Sequence, residues 1–341
     1  MNDKQNNYKD NFIISSKDLI WSTKLFFLSI CFAFFVSITV YILMLTYSQP
    51  EPVNQAIVST ASAATAKVTV TSNYVNPMWS IFFFNSIAAF FAVIGTGVFM
   101  VFHKILINDI AIREKYSFYT RSSILFEKMI MPFFRVLIKI AMIADRDLSA
   151  VKFKDYSDND SIWNSCGYDK KEYIIMAYIL PFTIPLMVIV VNGLLAGILL
   201  AFFTFDGAMT GYRLLDITGI IIGVLYNITY FMLLILPHGI IELPAIIIAA
   251  SLGYRFAYIQ AHDVIDKKLF SGNDIKSLRQ DAAYTLVLTK KYILSAYIWK
   301  MLTIVIFMLL VAAYIETYIT LEMANSTIIA INEILIHLIA E

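Results

Sequence analysis

The chain has 341 residues, of which 59% are hydrophobic and 15% charged, with a formal net charge of +1. A soluble domain carries about 25% charged residues, so composition excludes an ordinary water-soluble enzyme. Several windows of about twenty apolar residues lack Lys, Arg, Asp and Glu, which is the length a helix needs to cross a bilayer. The predicted fold class is therefore all-α: a polytopic transmembrane helical bundle.

Residues 1–24 are a polar tail, too long to be the charged start of a cleaved signal peptide. Leu25–Tyr47 reads as a first membrane helix and Met78–Val101 as a second, with a Ser-, Thr- and Ala-rich external loop at 48–77. In the second helix, Asn85 is a polar step, and Gly95 and Gly97 offer points of close approach. A basic segment fills 106–173, followed by apolar blocks at Ala177–Phe203 and Ile217–Leu236. The run Leu236-Pro237-His238-Gly239-Ile240-Ile241-Glu242-Leu243-Pro244-Ala245 comes next. Its two prolines and its glycine predict that one helix ends there and another begins. That fifth block extends to about Gly253, a sixth covers Ala296–Tyr318, and a C-terminal helix closes the chain within 321–341.

Basic residues set the orientation, because cytoplasmic loops collect them. The tail holds four Lys or Arg, residues 103–173 hold twelve and residues 254–300 hold eight, whereas 48–77 and 204–216 hold one each, Lys67 and Arg213. The tail and both basic segments are thus expected inside. Six full crossings violate this by placing 254–291 outside. A broken or re-entrant helix at 237–256 restores agreement and gives five crossings, with the N-terminus in the cytoplasm. The alternative, a span at 122–143, would put Glu127, Lys128, Arg135 and Lys139 in hydrocarbon, at about 2.5–3.5 kcal/mol for each basic residue.

That second segment has its own pattern. Arg121, Lys128, Arg135, Lys139 and Arg146 recur at seven- and four-residue steps, so they share one face of a helix that is apolar elsewhere. This predicts an amphipathic cytoplasmic helix in the lipid interface, or packed on the protein itself. Asp155, Asp158 and Asp160 lack the glycine and spacing of an EF-hand. Cys31 and Cys166 have no partner in sequence.

His238 and Glu242 stand at i and i+4 on one helical face. They make two metal ligands, and zinc needs at least a third. His103, His262 and His337 lie at no ligand spacing, so neither a metal nor another cofactor is expected. Glu316 is a carboxylate inside the last apolar block, and such residues are functional candidates in a membrane. It opens a second reading, a proton or ion path. A third is structural, with Glu242 accepting hydrogen bonds from Asn192 or His238 to lock helix packing. Asn192-Gly193 with Gly197, and Gly219 with Gly223, are small-residue spacings that let helices approach.

Together these residues resemble the stage II sporulation protein M (SpoIIM) family. Pro237-His238-Gly239-Ile240-Ile241-Glu242-Leu243-Pro244-Ala245 resembles its most distinctive motif. Asn192-Gly193-Leu194-Leu195-Ala196-Gly197 resembles the segment before it, and Ala312-Ala313-Tyr314-Ile315-Glu316 the motif of its last helix. Phe84-Asn85-Ser86 matches more loosely, and the order agrees over about residues 78–320. The resemblance implies a SpoIIM-like transmembrane core at 174–320 in a multi-pass membrane protein without an established catalytic mechanism. The family's namesake is the membrane component of an engulfment machine, working beside partners that cut peptidoglycan. The long tail and the basic segment depart from the short sporulation form.

The expected function is accordingly non-enzymatic: organising a complex at the cell membrane. The expected partners are the lipid bilayer, further copies of the chain, and other membrane or envelope proteins. Nucleic acid is not needed to explain the basic residues. The alternative is a transporter or channel that uses the intramembrane carboxylates.

Overall fold

A computed structural model describes residues 12–47, 51–71, 74–113, 115–144 and 162–340. Every regular element among them is helical. Arg146, Asp155, Asp158 and Asp160 lie outside these residues.

Helix α1 spans Ser16–Thr46, α2 Glu51–Thr71, α3 Pro77–Arg113 and α4 Ser117–Ala144. Helix α5 covers Lys170–Ile179, α6 Thr183–Asp266, α7 Ile275–Ile293 and α8 Ala296–Ile315. A π-helical turn, Glu316–Thr320, joins α8 to α9, Leu321–Ala340. The segment read as an external loop at 48–77 therefore contains a helix.

Four stretches are long and apolar enough to cross a membrane: α1, α3, the α5–α6 stretch and the stretch from α8 into α9. At about 1.5 Å per residue even the 31-residue α1 exceeds a hydrocarbon core of about 30 Å. Helix α6 is not straight. Its backbone leaves helical geometry at Leu215 and Asp216 (φ 55°, ψ −146°). With ψ at −146° this positive φ lies outside the left-handed helical well that Asp tolerates, close to a region populated almost only by glycine, so the turn is strained. The Thr218 hydroxyl then donates to the Leu215 carbonyl at 2.8 Å, at the start of the second leg.

The glycines show that the chain reverses here. A Cβ on Gly211 would lie 2.0 Å from the Gly219 oxygen, and one on Gly223 would lie 2.0 Å from the Gly207 oxygen. These pairs are symmetric about residue 215, as in an antiparallel hairpin. Asn227 Nδ2 also reaches across the legs to Asp206 Oδ2 at 3.0 Å. The α5–α6 stretch thus supplies two legs, which makes five apolar legs among the described residues.

Five legs is the number expected from the preferred reading of the charge distribution, but the cause differs from the expected one. No re-entrant break exists at 237–256: α6 stays helical through Pro237 and Pro244, and its only non-helical residues are Leu215 and Asp216. The Ile217–Leu236 block and the block after it are one leg. In water, Pro-His-Gly would end a helix because freed backbone groups find solvent. Hydrocarbon offers no such partners, so ending the helix would orphan more groups than Pro237 alone does.

Packing divides the chain into two units, residues 1–18, 91–186 and 251–301, and residues 19–90, 187–250 and 302–341. In the first, Ile107, Ile110, Met131, Trp163, Tyr173 and Phe270 form a core. Tyr292 stacks on Phe256 at 4.4 Å, and Phe12 packs edge-on against Tyr292 at 5.2 Å. Gly95 lies against Ile184 and Gly97 against Thr289, the close approach expected of them. A capping box of Asp169 and Glu172 starts α5, and the Asp274 side chain caps α7 through the Ser277 N–H. In the second unit, Gly193 and Gly197 bring α6 onto α1, where an added Cβ would meet the Phe26 oxygen at 2.7 Å and the Ile30 oxygen at 2.3 Å. Tyr41 stacks on Phe205 at 4.0 Å and donates to Asn54 Oδ1 at 3.0 Å, binding α1, α6 and α2.

Candidate functional site

The second unit gathers polar side chains from three helical stretches around His238. Helix α6 presents His238 and Glu242 on successive turns, with His238 Nε2 and Glu242 Oε2 3.9 Å apart. That separation is too long for a hydrogen bond. Asn85 on α3 donates from Nδ2 to Glu242 Oε1 at 2.9 Å. From the turn after α8, Thr320 Oγ1 lies 3.3 Å from His238 Nδ1. Glu316, at the start of that turn, completes a group in which one ligand atom each from His238, Glu242 and Glu316 lies within 4.8 Å of the others. His238 and Glu242 expose only 14% and 17% of their side chains.

The π turn helps to build this group. Thr320 Oγ1 donates to the Ile315 carbonyl five residues back at 3.1 Å. A π turn has poorer geometry than an α-helix and recurs at functional sites. Thr320 Oγ1 thus stands between the Ile315 carbonyl and His238 Nδ1, while the other ring nitrogen, Nε2, faces Glu242.

His238, Glu242, Glu316 and Asn85 were singled out in the sequence as polar residues of interest, and the structure brings the four together. Two details change. Asn192 donates to the Val188 carbonyl of its own helix at 2.7 Å; the amide on Glu242 belongs to Asn85, not Asn192. The third potential ligand missing from the His238–Glu242 pair is Glu316. Thr320 was missed: a hydroxyl near the end of an apolar block carries no spacing signal. Gly239 makes no close approach, since an added Cβ would meet only Ile235 and Leu243 side chains of its own helix, at 3.2 and 3.9 Å.

The remaining histidines and cysteines stand apart. His103 Nδ1 lies 3.1 Å from the Tyr173 hydroxyl, and His262 Nδ1 lies 2.9 Å from the Tyr258 carbonyl. The His337 side chain lies outside the described residues. Cys31 and Cys166 are free, and burial pushes the Cys166 thiol up to about 11, which makes it a poor nucleophile.

On α4 the basic stripe is exposed at Arg121, Lys128, Arg135 and Lys139. Arg135 also pairs with Glu172 of α5 at 2.6 Å. Met131 and Ile138 are buried against the protein. Beside the stripe, Leu125, Met129 and Phe133 are 64%, 74% and 67% exposed. The helix therefore has a packed face, a basic face and an uncovered apolar face.

Long apolar helices, a glycine-lined hairpin and a buried polar group define a helical membrane protein. A family model described as Stage II sporulation protein M matches residues 133–321, more than half of the chain, and the protein belongs to that family. No curated protein and no solved structure matches it.

Proposed function

We propose that this protein is a non-enzymatic scaffold that organises a complex at the cell membrane, with its N-terminus and both basic segments in the cytoplasm. The observation that supports it is the gathering of the polar group: Asn85 bonds to Glu242 across α3 and α6, and His238 meets Thr320 across α6 and the turn after α8. Such bonds between membrane helices contribute about 0.6–2 kcal/mol each and fix which helices meet. On this reading the group holds the fold in one arrangement that partners and further copies of the chain recognise. The exposed basic and apolar faces of α4 rest on anionic lipid at the cytoplasmic surface, as interfacial helices do.

Glu242→Ala then lowers recovery of folded, assembled protein in detergent, because Asn85 loses the carboxylate that it bonds across α3 and α6. Normal stability and assembly in this variant would contradict the scaffold role. The second reading, a proton or ion path, is favoured by the gathering of two carboxylates and an imidazole between membrane helices. Flux through purified protein in liposomes that is lost in Glu242→Gln would establish that reading in place of the first.

A further inference from the structure

The bonds around His238 leave one place where the group is incomplete. His238 Nδ1 meets Thr320 Oγ1 at 3.3 Å, and its Nε2 lies 3.9 Å from Glu242 Oε2, too far for a hydrogen bond. Glu242 Oε1 is taken by the Asn85 amide, which leaves Oε2 facing Nε2. The third member, Glu316, brings a further oxygen within 4.8 Å of the other ligand atoms. An imidazole nitrogen and two carboxylate oxygens therefore gather in one place between membrane helices. Two carboxylates and a neutral imidazole match a doubly charged cation in both charge and donor type.

We propose that His238, Glu242 and Glu316 bind a single divalent transition-metal ion of the zinc or manganese class. One imidazole nitrogen and two carboxylate oxygens suit those ions, whereas magnesium prefers an all-oxygen shell and keeps its water. Tetrahedral ligands at about 2.0–2.2 Å from zinc stand roughly 3.3–3.6 Å apart, so the three side chains close by less than about 1.5 Å when the ion enters. Asn85 and Thr320 are the outer partners, each orienting one ligand through its far atom, in the arrangement that accompanies metal-bound histidine and carboxylate. The proposal deepens the scaffold reading, because the ion would tie α6 to the turn after α8. Metal content is measured on the purified chain without partners or flux, so the two readings can fail separately.

The test is metal retention by the full chain in detergent, stripped with chelator and then supplied with zinc, manganese or magnesium chloride before desalting. Elemental analysis is expected to find one zinc or manganese per chain and no magnesium. His238→Ala and Glu316→Gln should each weaken retention at least about 100-fold. Thr320→Val keeps all three ligands and should weaken it about 10–100-fold, the usual cost of losing an outer partner. Circular dichroism shows whether each variant is folded, and Thr320→Val decides the matter if the ligand variants are not. Folded wild-type protein that retains neither ion, or that retains magnesium alone, overturns the proposal. Retention undiminished in the folded variants does so too.

Discussion

Arg113→Ala is expected to destabilise the protein by about 3–5 kcal/mol, the cost of removing one partner from a buried ion group. The Arg113 side chain is only 3% exposed and pairs with Asp109 and Glu127. It also donates to the Ser165 carbonyl at 3.1 Å, and Glu127 Oε2 accepts the Gly167 N–H at 2.6 Å. One guanidinium thus fastens the end of α3, the middle of α4 and the chain entering α5. Alanine leaves the mostly enclosed Glu127 without its guanidinium partner, holding only the Gly167 N–H contact of this group. Arg113→Lys should recover part of the loss, since lysine keeps the charge but not the planar fork that serves two carboxylates. Thermal unfolding in detergent measures both, and a loss below about 1 kcal/mol for alanine would show that solvent screens the group.

Gly211→Ala is the second large effect, at about 3 kcal/mol or more. Overpacking a core by one methyl group costs roughly 1–3 kcal/mol when side chains can yield. Here the obstacle is backbone: the added Cβ would lie 2.0 Å from the Gly219 oxygen and 2.7 Å from its carbonyl carbon. The legs of α6 must separate, and the neighbouring Gly207–Gly223 contact opens with them. Gly239→Ala is the matched control. Its Cβ meets nothing nearer than the Ile235 side chain at 3.2 Å, and alanine's helix propensity offsets any crowding by up to about 1 kcal/mol. The glycine inside the family motif should therefore tolerate the change that the hairpin glycine does not. Equal losses at the two positions would contradict the hairpin packing.

This contrast shows where sequence was informative. Gly219 and Gly223 announced a close helix approach through their spacing, but their partners Gly207 and Gly211 emerge only once the chain turns at Leu215. Charge bookkeeping ruled out six crossings, and the charges at 122–143 favoured five over a further span there, because Lys and Arg counts depend only on which loops share a side. It could not say which punctuation ended a leg. Pro237 and Gly239 looked like the break because they break helices in water, whereas Asp216, which does carry the irregular backbone, looked like one more polar loop residue. Glu316 was recognisable as a carboxylate in an apolar block. Its meeting with His238 was not, since nothing in the spacing of residues 78 positions apart in the chain encodes contact. The basic stripe of α4 was legible from period alone. The Arg113 group was not, because pairing between α3 and α4 depends on tertiary packing.

Cysteine accessibility from each side of the membrane tests the five-crossing arrangement on which the functional reading rests. In a Cys31→Ser, Cys166→Ser background, single cysteines replace Tyr74, Tyr116, Leu214 and Lys276, all exposed positions. The expected result is that positions 116 and 276 react with an impermeant reagent from the cytoplasmic side only, and positions 74 and 214 from the opposite side only. Labelling of 214 and 276 from the same side would mean that the second leg of α6 does not cross, and would contradict the account.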